Sequence, residues 1–177
     1  MKKEWHPEKN IESLFKSIFK KVDIQLKVFG ASDSGCTACL VFLENNVCEM
    51  NLHFFNLGDC WAVLGHLDGS AQRITRDHKI NDEEELKRIK KDAVIINRRL
   101  NGVLAITRAL GDFDHKTSVF INYYYYYYLL LLLINIIIIY YFKGLSAEPD
   151  YFQVKVNLEK HSLLIIASDG LWDVIND

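Results

Sequence analysis

The stretch that decides the fold runs from residue 38 to residue 75. It reads Ala38-Cys39-Leu40-Val41-Phe42-Leu43-Glu44, then Asn45-Asn46, then a strand-like run rich in β-formers over 47–56 closed by Gly58-Asp59. A further run over 60–66 ends at Asp68-Gly69, and Ala71-Gln72-Arg73-Ile74-Thr75 follows. Short runs rich in β-formers, each cut by Asn-Asn, Gly-Asp or Asp-Gly, predict four strands rather than helices. Asp68-Gly69 has the composition of a tight hairpin turn. Strands joined this closely must be antiparallel, because a parallel crossover needs a dozen or more residues. The expected arrangement is an antiparallel meander inside an α+β fold.

Outward from that stretch the periodicity changes. Ile11, Leu14, Phe15, Ile18 and Val22 fall at helical spacing, so residues 10–26 are expected to form an amphipathic helix. Asn10 is its expected N-cap, and Glu12 lies near the positive end of the dipole. Residues 82–92 predict a charged surface helix, because Asp82-Glu83-Glu84-Glu85 comes first and Lys87, Arg88, Lys90 and Lys91 come later. Short strands are expected at 93–97 and 103–106 around an Asn101-Gly102 turn, and at 151–156. A buried apolar strand is expected at 162–167, ended by Asp169-Gly170, with a helix beginning at 171–175. No repeat and no linker divides residues 1–177.

Charged residues make up 25% of the 177-residue chain and the formal net charge is -2, which gives no electrostatic reason to expect nucleic acid as a partner. The first residues lack the apolar stretch of a signal peptide, so a cytoplasmic or nuclear location is expected. Cysteines stand at 36, 39, 48 and 60. Cys36-Thr37-Ala38-Cys39 has the spacing of a redox or zinc half-site, but no second pair completes it, and reduced thiols are the expectation.

Residues 123–142 read YYYYYYLLLLLINIIIIYYF and hold eight of the nine tyrosines. Three readings stand open. As a helix, 20 residues would reach about 30 Å, enough for a bilayer core. A span there, however, would put Asp59 and Asp169 on opposite sides of the membrane. The segment could instead be an apolar loop insertion over 119–143, prone to β-association. It could also be translated A/T-rich intron, since such DNA encodes Tyr, Leu, Ile, Asn and Phe.

The residues able to carry chemistry fall in an ordered series. Gly35-Cys36-Thr37-Ala38 is followed by Asn56-Leu57-Gly58-Asp59-Cys60-Trp61, then by Thr75-Arg76-Asp77-His78-Lys79. Next come Arg99 to Asp112, with Thr107-Arg108-Ala109-Leu110-Gly111-Asp112 at the end, then Ala147-Glu148-Pro149-Asp150, and finally Ala167-Ser168-Asp169-Gly170-Leu171-Trp172-Asp173. Taken singly, Gly58-Asp59 and Asp169-Gly170 are what turns look like. As a set in this order they resemble the metal-dependent type 2C protein phosphatases, from about residue 30 onward.

That resemblance implies a phosphatase 2C-like antiparallel β-sandwich flanked by helices, here as a partial domain. It implies Mg²⁺ or Mn²⁺, two in the complete site, and hydrolysis of phosphoserine or phosphothreonine in a phosphoprotein by a metal-activated water. Asp169 matches a core metal ligand; Asp59 and Asp173 match ligands of a further, weaker site. Asp112 matches a loop-shaping aspartate, and Arg108 is expected to pair with a buried acid. His78 and His115 match no family proton donor and are expected to be surface residues, so no catalytic residue is assigned. The family's Asp-Gly-His-Gly loop, its acidic pair and its phosphate-binding arginine have no counterpart in these residues. The expectation is that this chain alone does not hydrolyse phosphoesters. A phosphatase-like module that binds without catalysis, and a membrane-anchored form using 123–142, are the alternatives.

Overall fold

Asn10 starts the first helix as its sequence predicts: its Oδ1 accepts the Ser13 backbone N–H at 3.4 Å, and α1 runs Ile11–Val28. The computed structural model describes residues 10–31, 33–47, 49–91, 93–116 and 144–175. The low-complexity segment at 119–143 therefore lies outside the described residues.

After α1 come β1 (Gly35–Cys36), β2 (Ala38–Asn45), β3 (Met50–Leu57), β4 (Trp61–His66) and β5 (Ala71–Arg73). Then follow α2 (Glu83–Ile89), β6 (Ile95–Ile96), β7 (Arg99–Leu100), β8 (Leu110–Gly111) and a 3-10 turn at Phe113–His115. The chain ends with β9 (Asp150–Lys155), β10 (His161–Ala167) and α3 (Asp169–Trp172). Two three-stranded antiparallel sheets dominate, ordered β2-β3-β9 and β10-β4-β5. The fold is therefore mixed helix and antiparallel sheet.

β3 is central in its sheet, and Phe54 and Phe55, which the pleat sends to opposite faces, are both fully buried. Both faces of that sheet are thus covered. On the Phe55 face lies α1: Phe15 stacks on Phe55 with ring centroids 4.5 Å apart, and Phe19, Leu57 and Leu110 complete the cluster. A second cluster joins Ile89, Leu100, Ala109 and Leu145, tying α2 to the chain on either side of residues 117–143.

Three expectations are corrected. The strands over 47–56 and 60–66 are not neighbours in one meander, because the chain leaves the first sheet at Gly58 and enters the second. Gly58 makes that change with φ 106°, and a Cβ there would lie 2.2 Å from Thr37 Cγ2. The expected strands at 93–97 and 103–106 shrink to the β6–β7 hairpin and two isolated bridges at Leu104 and Ile106. Its turn lies at Asn97-Arg98, both at positive φ as a tight hairpin demands, so the chain reverses earlier than Asn101-Gly102 suggests. Finally, β10 is an edge strand, and Leu163 is 57% exposed where a buried run was expected.

Candidate metal centre

The register of β4 and β10 sets the candidate ligands at one end of the sheet. Ala167 pairs with Trp61 on the last rung of the ladder. Asp59 lies two residues before Trp61 and Asp169 two residues after Ala167, so antiparallel pairing delivers both to the same end of the sheet. Asp169 opens α3, and the Asp173 N–H bonds to the Asp169 carbonyl at 2.8 Å, one turn on. A separation of four residues sets Asp169 and Asp173 on one helical face.

Aromatic packing anchors this corner. Trp172 stacks on Trp61 with centroids 5.4 Å apart, and its Nε1 donates to the Ala167 carbonyl at 2.9 Å. The Arg73 guanidinium covers the other side of the assembly, 3.7 Å from the Trp61 ring centroid. Trp61 Nε1 and Arg73 both donate to Asp77 Oδ1, at 2.8 and 2.5 Å.

The Gly58-Asp59 loop is held by a residue that sequence reasoning placed at the surface. His78 is fully buried, and its Nδ1 accepts the Gly58 N–H at 2.9 Å. In return the His78 N–H donates to the Gly58 carbonyl at 3.0 Å. His78 Nε2 lies 3.2 Å from Asp150 Oδ2 but off the line of a good hydrogen bond, so that contact is electrostatic. The polar neighbours Asp77 and Lys79 made His78 look exposed. Only its position between two chain segments buries it.

Behind this loop runs a buried ionic network. Glu85 accepts from Arg108, Arg88 and Thr107, and Arg108 also donates to Asp150 Oδ1 at 2.8 Å. Arg76 reaches Asp150 Oδ2 at 2.6 Å. Burial alone would raise the Glu85 carboxyl, but its arginine and threonine donors outweigh it and hold the group down to about 2. Burial likewise opposes ionisation of Asp150, yet its contacts with His78, Arg76 and Arg108 hold it well below the usual carboxylate range. Arg108 thus pairs with the buried Glu85, as expected, and with the half-buried Asp150. Arg76, Arg88, Arg108 and Asp150 also line a cleft of about 600 Å³ between α1 and β9. Asp112 has φ 48° and donates its N–H to the Ser34 carbonyl at 2.9 Å.

Asp59, Asp169 and Asp173 offer the hard oxygen donors that Mg²⁺ and Mn²⁺ prefer. Their convergence is incomplete. Among the described residues no group of three or more His, Cys, Asp or Glu side chains is placed to hold a metal. Asp59 is instead engaged by Lys79, whose Nζ lies 3.0 Å from its Oδ2. The donor chemistry fits a divalent cation, while the arrangement does not form a two-metal centre. Among the described residues Cys36, Cys39 and Cys60 are free thiols, and none belongs to a group of three or more side chains placed to hold a metal. Burial, with a further push from Cys60, raises the Cys39 thiol to about 12.

Comparison with known proteins agrees with this architecture. Among solved structures, a Caenorhabditis elegans sex determining protein superimposes with TM-score 0.65 at 23% identity, over 97% of this chain and 36% of that one. A phosphatase from Toxoplasma gondii does so with TM-score 0.61 at 19% identity, over 94% of this chain and 60% of that one. These similarities establish the fold. In sequence, protein phosphatase 2C homolog 1 of Schizosaccharomyces pombe is 31% identical over 97% of this chain and 43% of its own length. A probable protein phosphatase of Dictyostelium discoideum is 33% identical over 96% of this chain and 14% of its own length. The human protein phosphatase 1B is 28% identical over 95% of this chain and 32% of its own. The protein phosphatase 2C family model matches residues 2–177, and the chain belongs to that family. It spans less than half the length of each of these curated relatives.

Proposed function

We propose that this chain carries one corner of a metal-dependent protein serine/threonine phosphatase acting on phosphoproteins, with Asp169 as a ligand for Mg²⁺ or Mn²⁺. The observation that carries this reading is the β4–β10 register, which sets Asp59 and Asp169 at one end of the ladder in a chain of this family. Asp173, on the same face of α3 as Asp169, completes the candidate ligand set. Because these carboxylates do not converge on their own, the reading includes that the 177-residue chain alone does not hydrolyse phosphoesters. A module that binds phosphoproteins without catalysis is the second reading, favoured by the ion pair on Asp59.

Residues 119–143 are read as an insertion or translated intron rather than a span. In support, Leu145 donates its N–H to the His115 carbonyl at 3.2 Å, so the flanking chain already meets across the segment. No helix among the described residues is long and apolar enough to cross a membrane, and residues 119–143 lie outside them. The proposed location is cytoplasmic or nuclear.

The test is calorimetric titration of the purified chain with Mn²⁺, beside an assay on p-nitrophenyl phosphate. Weak Mn²⁺ binding that disappears in Asp169→Ala, with no hydrolysis, is expected. Binding unchanged by Asp169→Ala would remove the metal role of this corner. Mn²⁺-dependent hydrolysis lost in the same variant would overturn the claim of inactivity.

A further inference from the structure

Of the three candidate ligands, Asp59 alone carries an ion pair among the described residues, and its partner is Lys79. Both ends of that pair stand on braced backbone. Reciprocal hydrogen bonds join Gly58 to His78, at 2.9 and 3.0 Å, so the residues flanking the pair are fixed to each other. On its other side Lys79 is tied to Ile106 by an isolated bridge, and Thr107 N–H bonds to the His78 carbonyl at 2.8 Å. The Asp59 side chain is 11% exposed, whereas Lys79 is 34% exposed. The carboxylate is the fixed partner and the ammonium the movable one.

We propose that Lys79 is a built-in counter-cation that occupies Asp59 in place of a divalent metal and must leave before a metal can bind there. This rests on the reading of Asp59 as a metal ligand. A carboxylate oxygen coordinates Mg²⁺ at about 2.0–2.1 Å. An ammonium donating to the same oxygen takes one of its lone pairs, and two cations on one carboxylate repel.

The structure also supplies a place for the displaced ammonium. Lys79 Nζ already lies 3.9 Å from Asp77 Oδ2. Arg73 and Trp61 both use the other oxygen of Asp77, Oδ1, which leaves Oδ2 facing the lysine. A shift of about 1 Å would turn this approach into a hydrogen bond. Metal entry at Asp59 thereby becomes transfer of Lys79 from one aspartate to the next, with no charge left buried alone.

The experiment is Mn²⁺ titration of the full chain, followed by loss of the free-ion electron paramagnetic resonance signal. It uses the unmodified chain, Lys79→Gln, Lys79→Met, Lys79→Arg, Asp59→Asn and the Lys79→Gln/Asp59→Asn pair, each checked for folding by tryptophan emission. Removing one positive charge beside a divalent ion is expected to tighten Mn²⁺ binding about tenfold in Lys79→Gln and Lys79→Met. Lys79→Arg should bind no more tightly than the unmodified chain, and the gain should vanish in the pair. Equal binding with and without Lys79, while Asp59→Asn weakens both, would overturn the lysine's role and leave Asp59 a ligand. A gain that persists in the pair would also overturn it, since the effect would then not pass through Asp59. If Asp59→Asn changes nothing in any background, the reading of Asp59 as a ligand falls, whatever Lys79 does. Failure of Lys79→Gln and Lys79→Met to bind Mn²⁺ at all would likewise sink the proposal.

Discussion

His78 Nδ1 accepts the Gly58 N–H at 2.9 Å, so a fully buried imidazole carries the loop that presents Asp59. Replacing it with alanine leaves that N–H without a partner and opens a cavity. His78→Ala is expected to cost about 2–4 kcal/mol. In His78→Asn the amide oxygen can take the position of Nδ1, and about half of the loss should be recovered. Urea unfolding of the two variants checks this, and equal loss in both would show that volume rather than the hydrogen bond matters.

Glu85, together with Asp150, is expected to limit the stability of the fold in acid. Its folded value of about 2 lies below its ordinary 4.5, so the stability it contributes is complete above pH 4.5. That contribution is lost as pH falls from 4.5 through about 2, because the unfolded state then binds the extra proton. The shift corresponds to about 3 kcal/mol. Glu85→Gln should unfold more readily at pH 7, by about 3–5 kcal/mol, since Arg108 loses its buried partner. It should also flatten the stability curve below pH 4.5. An unchanged slope there would show that another carboxylate governs acid unfolding.

Residues 117–143 should be removable. If Lys116 were joined directly to Gly144, the Leu145 N–H to His115 carbonyl bond would become the i to i+3 bond of a four-residue β-turn, with Gly144 already at φ 112°. Deletion should leave the fold intact and raise stability by about 1–2 kcal/mol, because a shorter loop loses less entropy on closing. Chemical denaturation with circular dichroism decides, and loss of a cooperative transition in the deletion variant would refute it.

Thiol chemistry should separate the cysteines by exposure. Cys36 is exposed, whereas Cys39 is raised to about 12 and Cys60 is buried. At pH 8 iodoacetamide is expected to modify Cys36 within minutes and to reach Cys39 only as the chain unfolds. Peptide mass spectrometry over time shows the order. Rapid labelling of Cys39 would contradict the half-buried position of its thiol on β2.

Much of the local structure was legible in the residues themselves. The helical spacing of Ile11, Phe15 and Ile18 after Asn10 defined α1, and β-formers cut by turn residues defined β2 to β5. These signals depend on neighbours within a few positions, which is the range over which chain geometry acts. The ordered motifs were also sufficient to identify the family. What the residues alone did not decide was which strands pair and what each polar group meets. His78 in the interior and Lys79 on Asp59 arise from segments about 20 residues apart being folded together, and Gly58 as the point of exchange between sheets from strands paired over a far longer separation. Burial and ion pairing belong to such meetings. The aspartates were therefore visible in the sequence, and only the tertiary structure showed that one of them is already held by a lysine.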